Sequence, residues 1–187
     1  MSYDERLENL THELINGREV MLARPSMNHD TIQRNLSRII GTYLRGKRCK
    51  LFGEVDVYLD EQNHFIPDLM IVCDRNKIKG NGIHGAPDLI VEILSPRTSK
   101  NDFGTKKEIY EKYGVKEYWI INPKDKSIMV YILKDGKFEL DNVYNILEDW
   151  EEEALNEQEK AEHKLKLKVS LYDDLEIDVT EVFEDMI

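Results

Sequence analysis

"APDLIVEILSP" (residues 86–96) is an apolar run that carries two acids, Asp88 and Glu92, four residues apart. Its length and the closing Ser95-Pro96 suit a buried strand. Strand side chains alternate with period two, so Asp88, Ile90 and Glu92 share one face while Leu89, Val91 and Ile93 take the other. A carboxylate buried without a partner costs free energy. Some other part of the chain must therefore answer these two acids.

The flanking segments show what could do so. "FIPDLMIVCD" (65–74) is a second strand-like run opened by Pro-Asp-Leu, and the two read as neighbours. After residue 96 comes an amphipathic helix, from about Asp102 to Tyr113, ended by Gly114. At about 100° per residue, Ile109, Tyr110 and Tyr113 fall within about 60° of Lys106, which centres a lysine on the apolar stripe. Lys107 points elsewhere, toward solvent, where it can pair with Glu111. A lysine on a core-facing stripe either reaches its ammonium to a rim or meets an acid. The acids within reach are Asp68, Glu92 and Asp88 on the preceding strands.

Further out, "THELINGREVMLA" (11–23) reads as a hairpin turning at Asn16-Gly17. Ile32, Leu36, Ile39, Ile40, Tyr43 and Leu44 recur at helical spacing from Asn28 to about Gly46, with Asn28 as N-cap. "CKLFGEVDVYLDE" (49–61) alternates like one strand, and "EYWIINP" (117–123) is a short strand stopped by Pro123. "SIMVYILKDGKFEL" (127–140) is a hairpin turning at Asp135-Gly136. Residues 148–164 read as a charged helix and "LKLKVSLYDDLEIDV" (165–179) as a final strand. The order helix, three strands, helix, strand implies an α/β (α+β) domain around a mixed sheet flanked by helices, with extra hairpins. One domain over 1–187 is expected, with its core at about 28–123 and acidic additions at about 145–187.

Bulk properties narrow the function. The chain has 187 residues, 41% of them hydrophobic, and no run long enough to span a bilayer. Its opening "MSYDERLENL" is charged throughout, unlike a signal peptide. Cys49 and Cys73 lack CxxC spacing and read as reduced thiols in a cytoplasmic protein. The net charge of −11 is unevenly placed: residues 148–159 and 172–187 each hold seven acids and no Lys or Arg. The remainder carries 23 acids against 26 bases, so the body is mildly basic and a DNA partner is not excluded. The acidic segments read as solvated faces.

Two or three carboxylates beside one lysine form either a structural ion cluster or a hard-cation site. Mg²⁺ takes oxygen ligands, often one or two carboxylates, and keeps its other positions for water and phosphate. A lysine beside such a metal can orient or deprotonate the water and offset developing negative charge.

"IPDLMIVC", "GAPDLIVEILSPRT", and Asp102 with Lys106 in "DFGTKKEIYEKYGVKEYWIINP" together resemble the Uma-two family of restriction-endonuclease-like proteins. That family is a divergent branch of the PD-(D/E)XK nuclease superfamily, and the resemblance runs over nearly the whole chain. It implies a restriction-endonuclease-like sheet, Mg²⁺ (with Mn²⁺ able to substitute) and DNA as substrate. By the resemblance, Asp68 matches the strand-two aspartate and Glu92 the acid of strand three, both as metal ligands and catalytic groups. The usual lysine two places on is absent, Leu94 standing there, and Lys106 is similar to a migrated replacement. Asp88 matches the second Pro-Asp, as a supporting residue. The first long helix has no Glu over 29–46, so Glu13 or His29 is expected to complete the site. A homodimer is expected by analogy with enzymes that cut two strands.

Other motifs carry less. The five histidines form no HExxH spacing, and "KGNG" (79–82) is not followed by GK[ST] and is no P-loop. "LRGKRCK" (44–50) has four bases in seven residues and reads as a solvated loop or a phosphate-contacting patch. Ser95 has no base placed to activate it. The expectation is a Mg²⁺-dependent endonuclease hydrolysing DNA; its rival is a non-catalytic module that keeps the fold and binds nucleic acid or protein.

Overall fold

A computed structural model describes residues 12–22, 24–96 and 99–187. The charged N-terminal stretch and the Arg97-Thr98 pair lie outside these. In chain order the elements begin with β1 (His12–Ile15), β2 (Arg18–Met21), α1 (Met27–Tyr43), β3 (Lys50–Phe52), β4 (Val57–Asp60) and β5 (Asn63–Phe65). There follow β6 (Leu69–Val72), β7 (Ile78–Lys79), β8 (Gly82–His84), β9 (Leu89–Ile93), α2 (Ser99–Phe103), α3 (Thr105–Tyr113) and β10 (Glu117–Asn122). The chain closes with β11 (Ser127–Lys134), β12 (Lys137–Asn145), α4 (Asp149–Ala154), α5 (Glu157–Glu162), β13 (Lys166–Lys168), β14 (Glu176–Asp178) and α6 (Val179–Val182).

The central sheet has the order β12-β11-β10-β9-β6-β3. It is mixed: β9 pairs β10 in parallel, and every other neighbour is antiparallel. The runs opened by Pro-Asp-Leu are indeed neighbours, with Leu69 opposite Val91 and Ile71 opposite Leu89. Because β9 and β10 are parallel, a helical crossover must join them, and α2 and α3 supply it. A second sheet of short strands, β2-β1-β5-β4-β8-β7, covers part of one face.

Alternation along β9 sorts the core into two. Leu89, Val91 and Ile93 pack with Ile32, Leu36 and Ile40 of α1 and with Leu167, Ile177 and Val182 from the C-terminal hairpin and α6. Ile90 faces the opposite way, with Ile109 and Tyr110 of α3 and Phe65, Val57 and Ile83 of the second sheet. Glu92 shares the Ile90 face, as its parity requires, so α3 lies over it.

Several sequence readings change. Helix α1 is capped by Ser26, whose hydroxyl accepts from the His29 amide at 3.2 Å. Asn28 instead ties down the C-terminus, bonding Ile187 through both its amide nitrogen and its oxygen. The alternating run 49–61 is two strands in different sheets. At Gly53 a Cβ would lie 3.0 Å from the Asp68 carbonyl oxygen, and Glu54 takes the left-handed region (φ 51°). That pinch sends the chain from one sheet to the other without disturbing the hydrophobic parity. The crossover helix breaks at Gly104, the charged C-terminal helix is two short ones, and the final strand is a hairpin of β13 and β14. Gly114 does end α3, in the left-handed conformation (φ 81°) that glycine adopts freely.

Cys49 and Cys73 are joined as a disulfide rather than standing as separate thiols. They flank the antiparallel pair β3–β6, in which Lys50 faces Val72, so they meet across strands. A spacing rule along the chain is blind to such a pair. No helix among the described residues is long and apolar enough to cross a membrane.

Candidate active site

Asp68, Glu92, Lys106, Glu13 and His29 come together where the ends of β6 and β9 meet α1, α3 and β1. Lys106 is 2% exposed, and its ammonium lies 2.9 Å from Glu13 Oε1, 3.1 Å from Glu92 Oε1 and 3.5 Å from Asp102 Oδ1. Each acid arrives by a different route: Glu13 from the first hairpin, Glu92 from the central strand, and Asp102 from α2, one helical turn before the lysine. Neutral donors hold the carboxylates in place. Tyr110 donates its hydroxyl to Glu92 Oε1 at 2.8 Å, and the Ile66 amide donates to Glu13 Oε1 at 3.0 Å.

Asp68 stands next to this cluster. Its Oδ2 accepts from the Ile93 amide at 2.6 Å, which locks the aspartate of one strand to the residue after Glu92 on the other. Its Oδ1 lies 3.1 Å from His29 Nε2, and His29 is held at the first turn of α1. Burial lowers the His29 pKa, but the hydrogen bond and charge of Asp68 outweigh it, and the net shift is upward.

Charge is out of balance here. Burial pushes the Glu92 carboxyl well above its usual range; Lys106 pulls it down, while Asp102, Asp68 and Glu13 push it further up. Burial alone would lower the Lys106 pKa, but Glu92, Glu13 and Asp102 outweigh it and hold the lysine as an ammonium. Three acids around one cation leave negative charge that hydrogen bonds from neutral groups only partly offset.

A hard divalent cation suits this donor set. Asp68 and Glu92 bring carboxylate oxygens, adjacent charge favours a further cation, and Mg²⁺ needs few protein ligands. Among the described residues no group of three or more His, Cys, Asp or Glu side chains is placed to hold a metal ion by itself. A two-carboxylate site completed by water and phosphate fits better than a zinc-type one.

Asp88 is not brought into the cluster. It lies at the other end of β9, where its carboxylate accepts from the Cys73 amide at 2.8 Å and pairs with Lys116 at 2.7 Å. Lys107 differs from its reading as well. Its ammonium sits 4.2 Å from the Tyr131 ring centroid, while Glu111 takes Lys137 and the Phe138 amide instead. Asp102 is the residue whose place sequence reasoning missed. Its i,i+4 spacing to Lys106 was the available signal.

Comparison with known proteins agrees with this architecture. The family model whose description reads "Uma2: Putative restriction endonuclease" matches residues 2–169. Two uncharacterized proteins of Synechocystis sp., slr1290 and sll1609, are each 28% identical to the chain, over 139 and 127 residues. Those stretches cover 72% and 64% of this chain and 72% of each relative. A crystal structure from Anabaena variabilis, described as a putative nuclease belonging to DUF820, superposes with a TM-score of 0.70. It covers 98% of this chain and 97% of its own at 21% identity, a likeness of fold.

Proposed function

The chain belongs to the Uma2 family, described as putative restriction endonucleases, and from that premise we propose that it is a Mg²⁺-dependent endonuclease acting on DNA phosphodiesters. Asp68 and Glu92 hold the metal in this reading, and Mn²⁺ substitutes. The observation that carries it is the buried Lys106 ammonium within 3.1 Å of Glu92 and 2.9 Å of Glu13, with the Asp68 carboxylate bonded to the Ile93 amide next to Glu92. When bound, the metal lowers the pKa of a water and offsets charge on the phosphate.

The chain's own groups have distinct tasks. Lys106 stays protonated, so its contribution is electrostatic: it faces the charge that builds on phosphate oxygens during attack. A general-base role fits it poorly, since the surrounding acids hold its proton. Tyr110 and the Ile93 amide fix the two carboxylates, so little reorganisation is needed when charge develops. His29 orients Asp68 from the α1 side. A homodimer that presents two sites to two strands belongs to the same reading.

One observation favours the rival, a non-catalytic module. Glu92 and Lys106 are only 4% and 2% exposed, as suits a closed structural cluster. Plasmid DNA incubated with and without Mg²⁺ or Mn²⁺ separates the two. Metal-dependent nicking supports the enzyme; intact plasmid, with no metal binding in a calorimetric titration, supports the module.

A further inference from the structure

Beside the acids a cleft of about 760 Å³ opens between the N-terminus of α1, helix α2 and the segments that follow β9 and β10. His29 lines it and is also the residue that touches Asp68, so the cleft leads to the proposed site. The imidazole is nine-tenths buried, and its Nδ1 has no hydrogen-bond partner among the described residues. Among the described residues that line the cleft, Arg24 and Lys124 are cations and none is an acid, in a chain of net charge −11. Such local exclusion of carboxylates marks a surface that receives an anion.

One lining residue adds a second requirement. Phe103 is 43% exposed, although it follows Asp102, which is 1% exposed. Helix α2 thus directs one side chain at the lysine and presents the next in the cleft. An exposed aromatic ring beside cations is a stacking platform for bases whose faces are free, and in a duplex those faces are already covered. The charge count agrees. The two cations among the described lining residues fall well short of the roughly six to ten phosphate contacts of many duplex-binding proteins. The volume is that of a cleft enclosing a small ligand, roughly 300–1,000 Å³, rather than of a groove for a rod.

We propose that this cleft seats an unpaired stretch of polynucleotide, with one base stacked on Phe103 and the adjoining phosphates held by Arg24 and Lys124. The strand reaching Asp68 is then single, as in an overhang, a flap or a locally opened duplex. What happens to that strand rests on the nuclease reading above; its capture does not.

Fluorescence anisotropy on the full chain in EDTA tests capture without cleavage, using labelled oligo(dU), oligo(U) and a duplex of equal length. The single strands are expected to bind at least about 10-fold more tightly than the duplex, and whichever binds better identifies the sugar preferred. Phe103→Ala should weaken single-strand binding by about 5- to 150-fold and Phe103→Trp should retain it. Arg24→Ala should reduce the slope of log affinity against log salt by about 1. Equal binding of duplex and single strand, no binding of either single strand, or no effect of Phe103→Ala overturns the proposal. Single-strand capture by a protein that never cuts with metal would sink the nuclease reading and leave the cleft standing. Metal-dependent cutting left unchanged by Phe103→Ala would do the reverse.

Discussion

Glu92 and Glu117 are both buried acids on adjacent strands of one sheet, and their surroundings have opposite logic. Glu117 opens β10 and shares the Trp119 face, packed toward the C-terminal segment. Its Oε1 accepts from Trp119 Nε1 at 2.7 Å, and its Oε2 accepts from the Ser170 amide at 2.9 Å and from the Ser170 hydroxyl. Every donor there is neutral, and each oxygen is satisfied within the protein. Glu92 looks to the other face and meets a lysine that two further acids also claim. A closed set of neutral donors can pin a loop to a strand. An overcharged set retains an attraction for cations that the fold leaves unmet, and that is what distinguishes a candidate site from a staple.

The largest expected effect breaks the contrast at its centre. Lys106→Ala removes the cation that Glu13, Glu92 and Asp102 share. Leaving buried charges unpaired costs about 3–5 kcal/mol, read as a lower urea midpoint. Cleavage should fall on the order of 100-fold or more, measured only on folded variant. Metal binding should survive or strengthen, because a protonated lysine is no ligand and its charge repels the ion. A folded Lys106→Ala protein that cuts like the parent would make Glu92 a staple like Glu117.

The paired amide substitutions are expected to act in opposite ways. Glu92→Gln keeps an oxygen for Lys106 and Tyr110 and removes a crowded charge, so stability should move by less than about 1 kcal/mol. Mg²⁺ affinity and cleavage should both drop. Glu117→Gln brings an NH₂ against the Ser170 or Trp119 donors and should cost about 1–3 kcal/mol, with cleavage unchanged. Calorimetry and plasmid nicking on both variants would show whether the two acids differ in kind. Loss of cleavage in Glu117→Gln alone would erase the distinction.

Much of this contrast was legible in the sequence. Strand parity placed Glu92 opposite Leu89, Val91 and Ile93, and helical phase placed Lys106 on the buried stripe. Both are periodic signals, and the core enforces them. Asp88 shows the limit of parity: it shares Glu92's face but sits four residues away, at the far end of β9, where Lys116 reaches it. Contacts between segments distant in sequence carried no local signal. The Cys49–Cys73 bond and the Ser170 clasp on Glu117, 53 residues apart, are of that kind. The break at Gly53 and Glu54 was hidden because hydrophobic alternation continued through it.

A pH titration of stability sharpens the comparison by a smaller amount. Burial raises the Glu117 pKa above its ordinary value of 4.5, against the hydrogen bonds from Ser170 and Trp119. A carboxyl whose folded pKa lies above its unfolded one favours the fold while protonated. That contribution is fully present below about pH 4.5 and is lost as pH rises through the folded pKa. Glu117→Gln should therefore flatten the stability profile above the usual carboxylate range. His29, also shifted upward, stabilises below its ordinary value of 6.5 and loses that contribution as pH rises through its folded pKa. His29→Gln should flatten that later part of the curve. A profile that steepens in either variant would contradict the direction of the shift.

The smallest effect is expected from the most highly charged segment. Residues 148–159 carry seven acids, and most of them are exposed on α4 and α5. Three of these acids have local structural tasks: Glu148 with Glu151, and Glu159 with Asn156, form capping boxes that satisfy the first amides of each helix. Reversing them would melt helix ends and confuse the result. Glu152, Glu153 and Glu157 have no part in those boxes, and Glu157 makes only a 3.9 Å contact with Lys160 at 98% side-chain exposure. Changing these three to Lys alters the net charge by six. Screening acts over about 8 Å at physiological salt, so a solvated face should change nucleic-acid affinity by less than about 2-fold there. At low salt the same variant should bind measurably tighter, since the unscreened field of the whole chain then counts. A gain of about 10-fold or more that persists at physiological salt would place these helices against the bound strand. The acidic end would then act, like the acids around Lys106, on a ligand rather than on the fold.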